Sequence, residues 1–154
     1  MRIPEIASKA IATFFGVGYL PKVPGTFGTL AAIPLYLVLR RLPIFLYILI
    51  LGKLIAVGII TSDIQEKQWG RDPSRVVIDE VCGLLVTLIA RPIGFKEIAL
   101  GTALFRLFDI IKPPPVGIID RRIKGGIGIM ADDLAAGAMS ALILHVIRRR
   151  GWLS

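Results

Sequence analysis

The chain has 154 residues, 55% of them hydrophobic, and a formal net charge of +8 from 19 Lys and Arg against 11 Asp and Glu; its mean hydropathy is +0.73. That length allows one domain, residues 1–154, and its hydropathy exceeds that of an ordinary soluble domain, which favours a membrane protein. The positive excess suits anionic lipid headgroups or a phosphorylated ligand, while the lack of a basic-aromatic stripe or zinc-finger spacing argues against nucleic acid; with Cys82 alone, an internal disulfide and an all-cysteine metal site are excluded.

Residues 1–9 carry Arg2, Pro4, Glu5 and Lys9 and lack a cleavable-signal pattern. An amphipathic helix is predicted here, with Ile3, Ile6, Ala7, Ala10, Ile11 and Phe14 at helical spacing and Glu5, Ser8 and Lys9 facing elsewhere, a pattern suited to a membrane surface. The segment Pro21-Lys22-Val23-Pro24-Gly25-Thr26 gives a rigid turn. Thr26 is expected to cap the next helix, presenting, beside Lys22, a helix start that can meet an anion.

Five apolar segments follow, at 27–39, 42–60, 76–90, 98–111 and 134–147, and each reads as helix. Breakers at Pro43, Pro73, Pro92 and Pro113-Pro114-Pro115 fall between them. Only the second approaches the roughly 20 residues that cross a bilayer core. The fold class expected is all-α: a compact multi-helix membrane bundle of about five apolar helices plus the amphipathic N-terminal one. If all five cross from a cytoplasmic N-terminus, residues 1–25, 61–75 and 112–133 gather on the cytoplasmic side. The positive-inside count lends this weak support, because Arg40, Arg41, Arg91, Lys96 and Arg148 to Arg150 then lie outside.

Next to or inside the apolar segments stand Asp79 and Glu80, Asp109, and Asp132 and Asp133. One charge at the centre of a membrane helix costs about 2.5–3.5 kcal/mol, so such a set requires pairing or a metal. Arg106 and Lys112, three residues to either side of Asp109, share its helical face and cannot neutralise five acids. A divalent cation with oxygen ligands supplies the missing charge. Mg²⁺ is the natural choice, because it takes a few carboxylates, keeps waters and bridges to phosphate, and no zinc-type His or Cys spacing exists. Any one of these acids could simply cap a helix or sit at an interface; the assembled set is what points to a metal.

Gly83 lies four residues after Asp79 and Gly137 four after Asp133, so small residues on the acids' own faces would let two helices approach closely. Gly125-Gly126-Ile127-Gly128 reads as a loop ahead of the last helix. Its N–H groups could bind anionic oxygens, with Arg121, Arg122 and Lys124 just upstream, although glycine runs more often form plain turns. Asp72, before Pro73, suits a turn as well as a metal. His145 reads as packing or interfacial, and Cys82 as packing.

These residues resemble the phosphatidylglycerophosphatase A family over nearly the whole chain. The similarity rests on Gly18-Tyr19-Leu20-Pro21-Lys22-Val23-Pro24-Gly25-Thr26, on Val77-Ile78-Asp79-Glu80-Val81-Cys82-Gly83 and, most specifically, on a C-terminal block. That block runs from Phe105-Arg106-Leu107-Phe108-Asp109-Ile110-Ile111-Lys112-Pro113 through Asp120-Arg121 and Gly125-Gly126-Ile127-Gly128-Ile129-Met130 to Asp132-Asp133. The resemblance implies a Mg²⁺-dependent phosphatase of the bacterial inner membrane that converts phosphatidylglycerophosphate to phosphatidylglycerol.

The reaction expected is hydrolysis of a lipid phosphate monoester by metal-activated water. Asp79, Glu80, Asp109, Asp132 and Asp133 serve as ligands or water-orienting bases. Arg106, Lys112 and Arg121 bind the phosphate, with Lys22, Thr26, Gly125 and Gly126 as further substrate contacts. A homo-oligomer is compatible with this reading. Two rival classes remain open: an ion or proton-coupled transporter, for which the chain is short and lacks a repeat, and a soluble helical binding module. A phosphotransferase acting on nucleotide-activated lipids lacks its Asp-Gly-x-x-Ala-Arg motif.

Overall fold

Apolar runs broken by Pro and Gly give seven α-helices in the computed structural model, which describes residues 3–90 and 94–153. They are α1 (Glu5–Ala12), α2 (Pro24–Leu39), α3 (Ile44–Trp69), α4 (Ile78–Thr87), α5 (Phe95–Ile111), α6 (Val116–Arg122) and α7 (Gly125–Arg149), with a 3-10 turn at Val17–Tyr19. The described residues contain no strand. Arg2, Arg91 and Pro92, counted above among the charges and breakers, lie outside the described residues.

The architecture is built around α7, which packs against α3, α4, α5 and α6, while α4 is held between α7 and α2. Ile78, Val81, Leu84 and Leu85 of α4 are buried together with Phe105 of α5 and Met130, Ala136 and Leu144 of α7. Tyr47 of α3 ties into this core by donating its hydroxyl hydrogen to the Leu85 carbonyl oxygen at 2.6 Å. A buried tyrosine hydroxyl needs such a partner.

Several sequence expectations change in detail. The first is in α1, where Ser8, expected on the polar face, is fully buried and accepts a hydrogen bond from Gln65 Nε2 at 2.9 Å. Ile6, expected on the apolar face, is 85% exposed. The helix docks on α3 through its Ser8 and Ala12 edge, so a buried polar pair replaces part of the apolar stripe.

Next, Thr26 is not the N-cap of α2: the helix begins two residues earlier at Pro24, whose fixed φ suits the first helical position. The segment from Gly125 is likewise not a loop but the first turn of α7. The third helix runs on to Trp69 through polar residues and stops at Gly70, whose φ of +93° ends a helix without steric cost.

By length and composition, α3 and α7 are long and apolar enough to cross a membrane. The apolar segments in α2, α4 and α5 form helices of 16, 10 and 17 residues, short of the roughly 20 that span a bilayer core unaided. Of the about five apolar helices expected, two therefore meet the length criterion for spanning among the described residues. On α3 one side is buried through Tyr47, Leu51 and Gly58, and Phe45, Ile48 and Leu49 are exposed.

Candidate active site

Two acids come from the first turn of α4 and two from the third turn of α7, so their convergence depends on how closely those helices cross. A Cβ at Gly83 would stand 2.9 Å from the Asp133 carbonyl oxygen, and one at Gly137 would collide with the Gly83 carbonyl oxygen. Only glycine permits that contact. Thr87 reinforces it: its Oγ1 donates to the Gly83 oxygen at 3.0 Å, with the Gly137 oxygen at 3.4 Å.

The crossing brings one carboxylate oxygen each from Asp79, Glu80 and Asp133 within 4.8 Å of one another. Asp79 and Asp133 are buried, at 8% and 3% exposure. Asp79 Oδ1, Glu80 Oε2 and Asp133 Oδ2 are buried without a hydrogen-bond partner among the described residues. Two buried carboxylates and the half-buried Glu80, each with an unsatisfied oxygen, are costly unless a cation completes them. This donor set fits a hard divalent ion bound through oxygen.

The remaining two predicted acids line the same cavity but are already engaged. Asp109 Oδ2 accepts a hydrogen bond from Arg106 Nη1. Asp132 Oδ2 accepts one from Lys112 Nζ at 2.8 Å, and the same ammonium donates to Asp120 Oδ1 at 2.9 Å. Burial by itself would lower the Lys112 pKa, but the Asp132 and Asp120 carboxylates outweigh it and raise it above the ordinary 10.5.

These groups surround a cavity of about 310 Å³, whose wall includes all five acids, Arg106 and Lys112. The first turn of α2 completes it with Pro24, Gly25 and Thr26. No side chain caps that turn, so it offers backbone N–H groups and the positive end of a helix dipole to an anion. Gly25 belongs here for a steric reason: a Cβ on it would meet the Glu80 carboxylate and lie 3.4 Å from Arg106 Nη1.

Of the other predicted contacts, Thr26 lies on this wall, whereas Lys22 and Arg121 are exposed and not among its lining residues. Gly125 and Gly126 line neighbouring depressions instead. The Gly126 N–H faces Asp63 Oδ1 of α3 at 3.4 Å, so a carboxylate of the chain already occupies that helix start. His145 is exposed on α7 and Cys82 is buried in the core.

Two groups were missed as site residues in the sequence. Asp120, quoted only within the family-like block, shares Lys112 with Asp132. Ser74 lines the cavity from the turn before α4, and its nearness to Asp79 in the chain was the available signal. Asp72, read as suiting a turn as well as a metal, lines the same cavity.

A family model described as phosphatidylglycerophosphatase A matches residues 10–148. The chain is 41% identical to the phosphatidylglycerophosphatase A of Escherichia coli K12 over 139 residues, covering 89% of this chain and 81% of that protein. It is 30% identical to the Haemophilus influenzae protein of the same name over 141 residues, 90% of this chain and 86% of that one. A Bacteroides thetaiotaomicron protein with the provisional name phosphatidylinositol-3-phosphatase is 37% identical over 156 residues, covering 96% of this chain and 98% of its own. No solved structure matches the chain. The chain belongs to the phosphatidylglycerophosphatase A family.

Proposed function

We propose that this protein hydrolyses the phosphate monoester of phosphatidylglycerophosphate, in a membrane, with Mg²⁺ held by Asp79, Glu80 and Asp133. The observation that carries the reading is the convergence in one cavity of three carboxylates with buried, unpartnered oxygens and the cations Arg106 and Lys112. A bound Mg²⁺ would supply positive charge to the phosphoryl oxygens and lower the pKa of a ligated water.

The chain's own groups divide the remaining work. Arg106 and Lys112 bind the phosphate oxygens, and the open first turn of α2 offers Gly25 and Thr26 N–H groups to the same anion. Asp109 and Asp132 hold these cations in place through their ion pairs, which suits them to positioning better than to direct metal binding. Water attacks phosphorus, the bond from phosphorus to the glycerol oxygen breaks, and a cavity carboxylate returns the proton to the departing alkoxide. Lys22 and Arg121, exposed beyond the wall, suit contacts with the rest of the anionic headgroup or with neighbouring lipids.

Membrane residence is supported by α3, whose most apolar stretch has a mean hydropathy of 2.5 yet is only 22% buried. So large an unpacked apolar face needs lipid or a partner. In this reading α2, α4 and α5 complete a bundle of about five apolar helices in a thinned or tilted arrangement. In the same reading the protein is a multi-pass protein of the bacterial inner membrane, with the cavity on the cytoplasmic side.

Purified protein in detergent should release inorganic phosphate from phosphatidylglycerophosphate only when Mg²⁺ is present. No release with the metal would overturn the substrate assignment. The provisional name of the Bacteroides relative motivates a second reading, in which the same cavity acts on phosphatidylinositol 3-phosphate. Release from that lipid in preference to phosphatidylglycerophosphate would select it.

A further inference from the structure

Beside the polar cavity lies a second, apolar one of about 590 Å³ between α2 and α5. Leu30, Ile33 and Leu37 line it from α2, with Arg40 beyond them at the far end, and Ile98 and Thr102 line it from α5. Its volume is that of a ligand site, about 300–1,000 Å³, and its walls lack acids. Arg106 is common to both cavities: it lines the apolar one and faces Asp109 in the polar one.

The chain directions make this connection a continuous track. In α2 the residues run outward from Thr26 at the polar cavity to Leu30 and then Leu37, while in α5 they run outward from Arg106 to Thr102 and then Ile98. Arg106 and Phe95, at the two ends of the α5 wall, are eleven residues apart, about 16 Å along a helix. A phospholipid acyl chain fills one leaflet, half of the roughly 30 Å hydrocarbon core. Between Arg106 and Arg40 the track is apolar, and it has the length and starting point required by a chain whose headgroup sits at Arg106.

We propose that the α2–α5 groove binds one acyl chain of the phosphorylated lipid substrate and so sets the depth at which its phosphate meets Arg106 and the acids. The proposal rests on the phosphatase reading for the identity of the headgroup, and on the groove for the lipid. The small exposed residues Ala99 and Ala103 leave the groove open on its α5 side. Larger side chains there would fill it without touching the acids.

The test compares Ala103→Phe and Ala99→Phe with wild type on long-chain and on dihexanoyl phosphatidylglycerophosphate, each variant first matched to wild type in thermal unfolding in detergent. A groove that holds the chain predicts kcat/KM lower by about tenfold on the long-chain lipid, mainly through KM. On the dihexanoyl substrate the variants should stay within about twofold of wild type. Equal losses on both substrates, or no loss on the long-chain one, would overturn it.

A second measurement needs no turnover: phosphatidic acid with a photoactivatable acyl chain is crosslinked in vesicles and its adducts are mapped. Adducts concentrated on Leu30, Ile33, Ile98 and Thr102, relative to Phe45, Ile48 and Leu49 of α3, are the expected result. They would uphold the groove even if wild type released no phosphate, in which case the phosphatase reading alone falls. Even labelling of the two faces would overturn the groove whatever the phosphate assay gave.

Discussion

Gly137 of α7 lies directly against the carbonyl oxygen of Gly83 in α4, and one turn from each glycine stands an acid of the metal-type cluster, Asp133 and Asp79. The helix contact and the chemical site are thus one construction. Gly137→Ala should lower stability by about 1–3 kcal/mol through overpacking and reduce phosphate release with it. Gly52→Ala, where a Cβ meets nothing within 4 Å, should be neutral or stabilise by up to about 1 kcal/mol. Thermal unfolding of both variants in detergent checks the contrast, and equal behaviour would contradict the steric account.

Asp79→Asn and Asp133→Asn should each reduce phosphate release by about 100-fold or more. The same variants should remain as stable as wild type, or become more so, in the presence of a chelator, because removing a buried negative charge relieves repulsion within the cluster. Added Mg²⁺ should raise the Tm of wild type by mass action and leave the variants unmoved. A variant that still gained Tm from Mg²⁺ would remove that acid from the metal set.

Lys112 joins α6 to α7 through Asp120 and Asp132. Lys112→Met strands the buried Asp132 carboxylate and should cost about 1–3 kcal/mol, with loss of activity, whereas Lys112→Arg should recover most of the stability. The sign of the pH dependence follows from a folded pKa raised above 10.5: this contribution is fully present below that value and fades as pH rises through the folded one. Unfolding curves should therefore show a constant Lys112→Met deficit near neutral pH that shrinks in strong alkali.

The outward face of α3 gives a test of membrane residence. Leu49 is 51% exposed in the middle of an apolar stretch, and Leu49→Arg places a charge where insertion costs about 2.5–3.5 kcal/mol. Wild type should resist alkaline carbonate extraction from membranes, and the variant should insert poorly or be extracted. A wild-type chain that enters buffer without detergent would refute the membrane reading.

Much of the site was legible in the chain because its acids are conspicuous: an aspartate or glutamate beside an apolar helix has few inexpensive roles. The spacing of Gly83 from Asp79 and of Gly137 from Asp133 also predicted that two helix faces meet there. Helix ends were read less well. Pro24, not Thr26, opens α2, and the glycines from Gly125 begin α7, since glycine in sequence signals a turn and close helix packing alike. Ser8 was assigned to solvent because its partner, Gln65, is 57 residues away in the chain.

By itself the sequence determined the all-helical class, through its apolar runs and breakers, and the inventory of carboxylates and cations available for chemistry. Only the tertiary structure decided how that inventory is divided. Asp109 and Asp132 face Arg106 and Lys112 and are satisfied by them, whereas Asp79, Glu80 and Asp133 face one another and are left with unpartnered oxygens. The reason is physical. Charge and residue type are properties of the chain, but which charges neutralise one another depends on separations of a few ångströms, set by how closely α4 can cross α7.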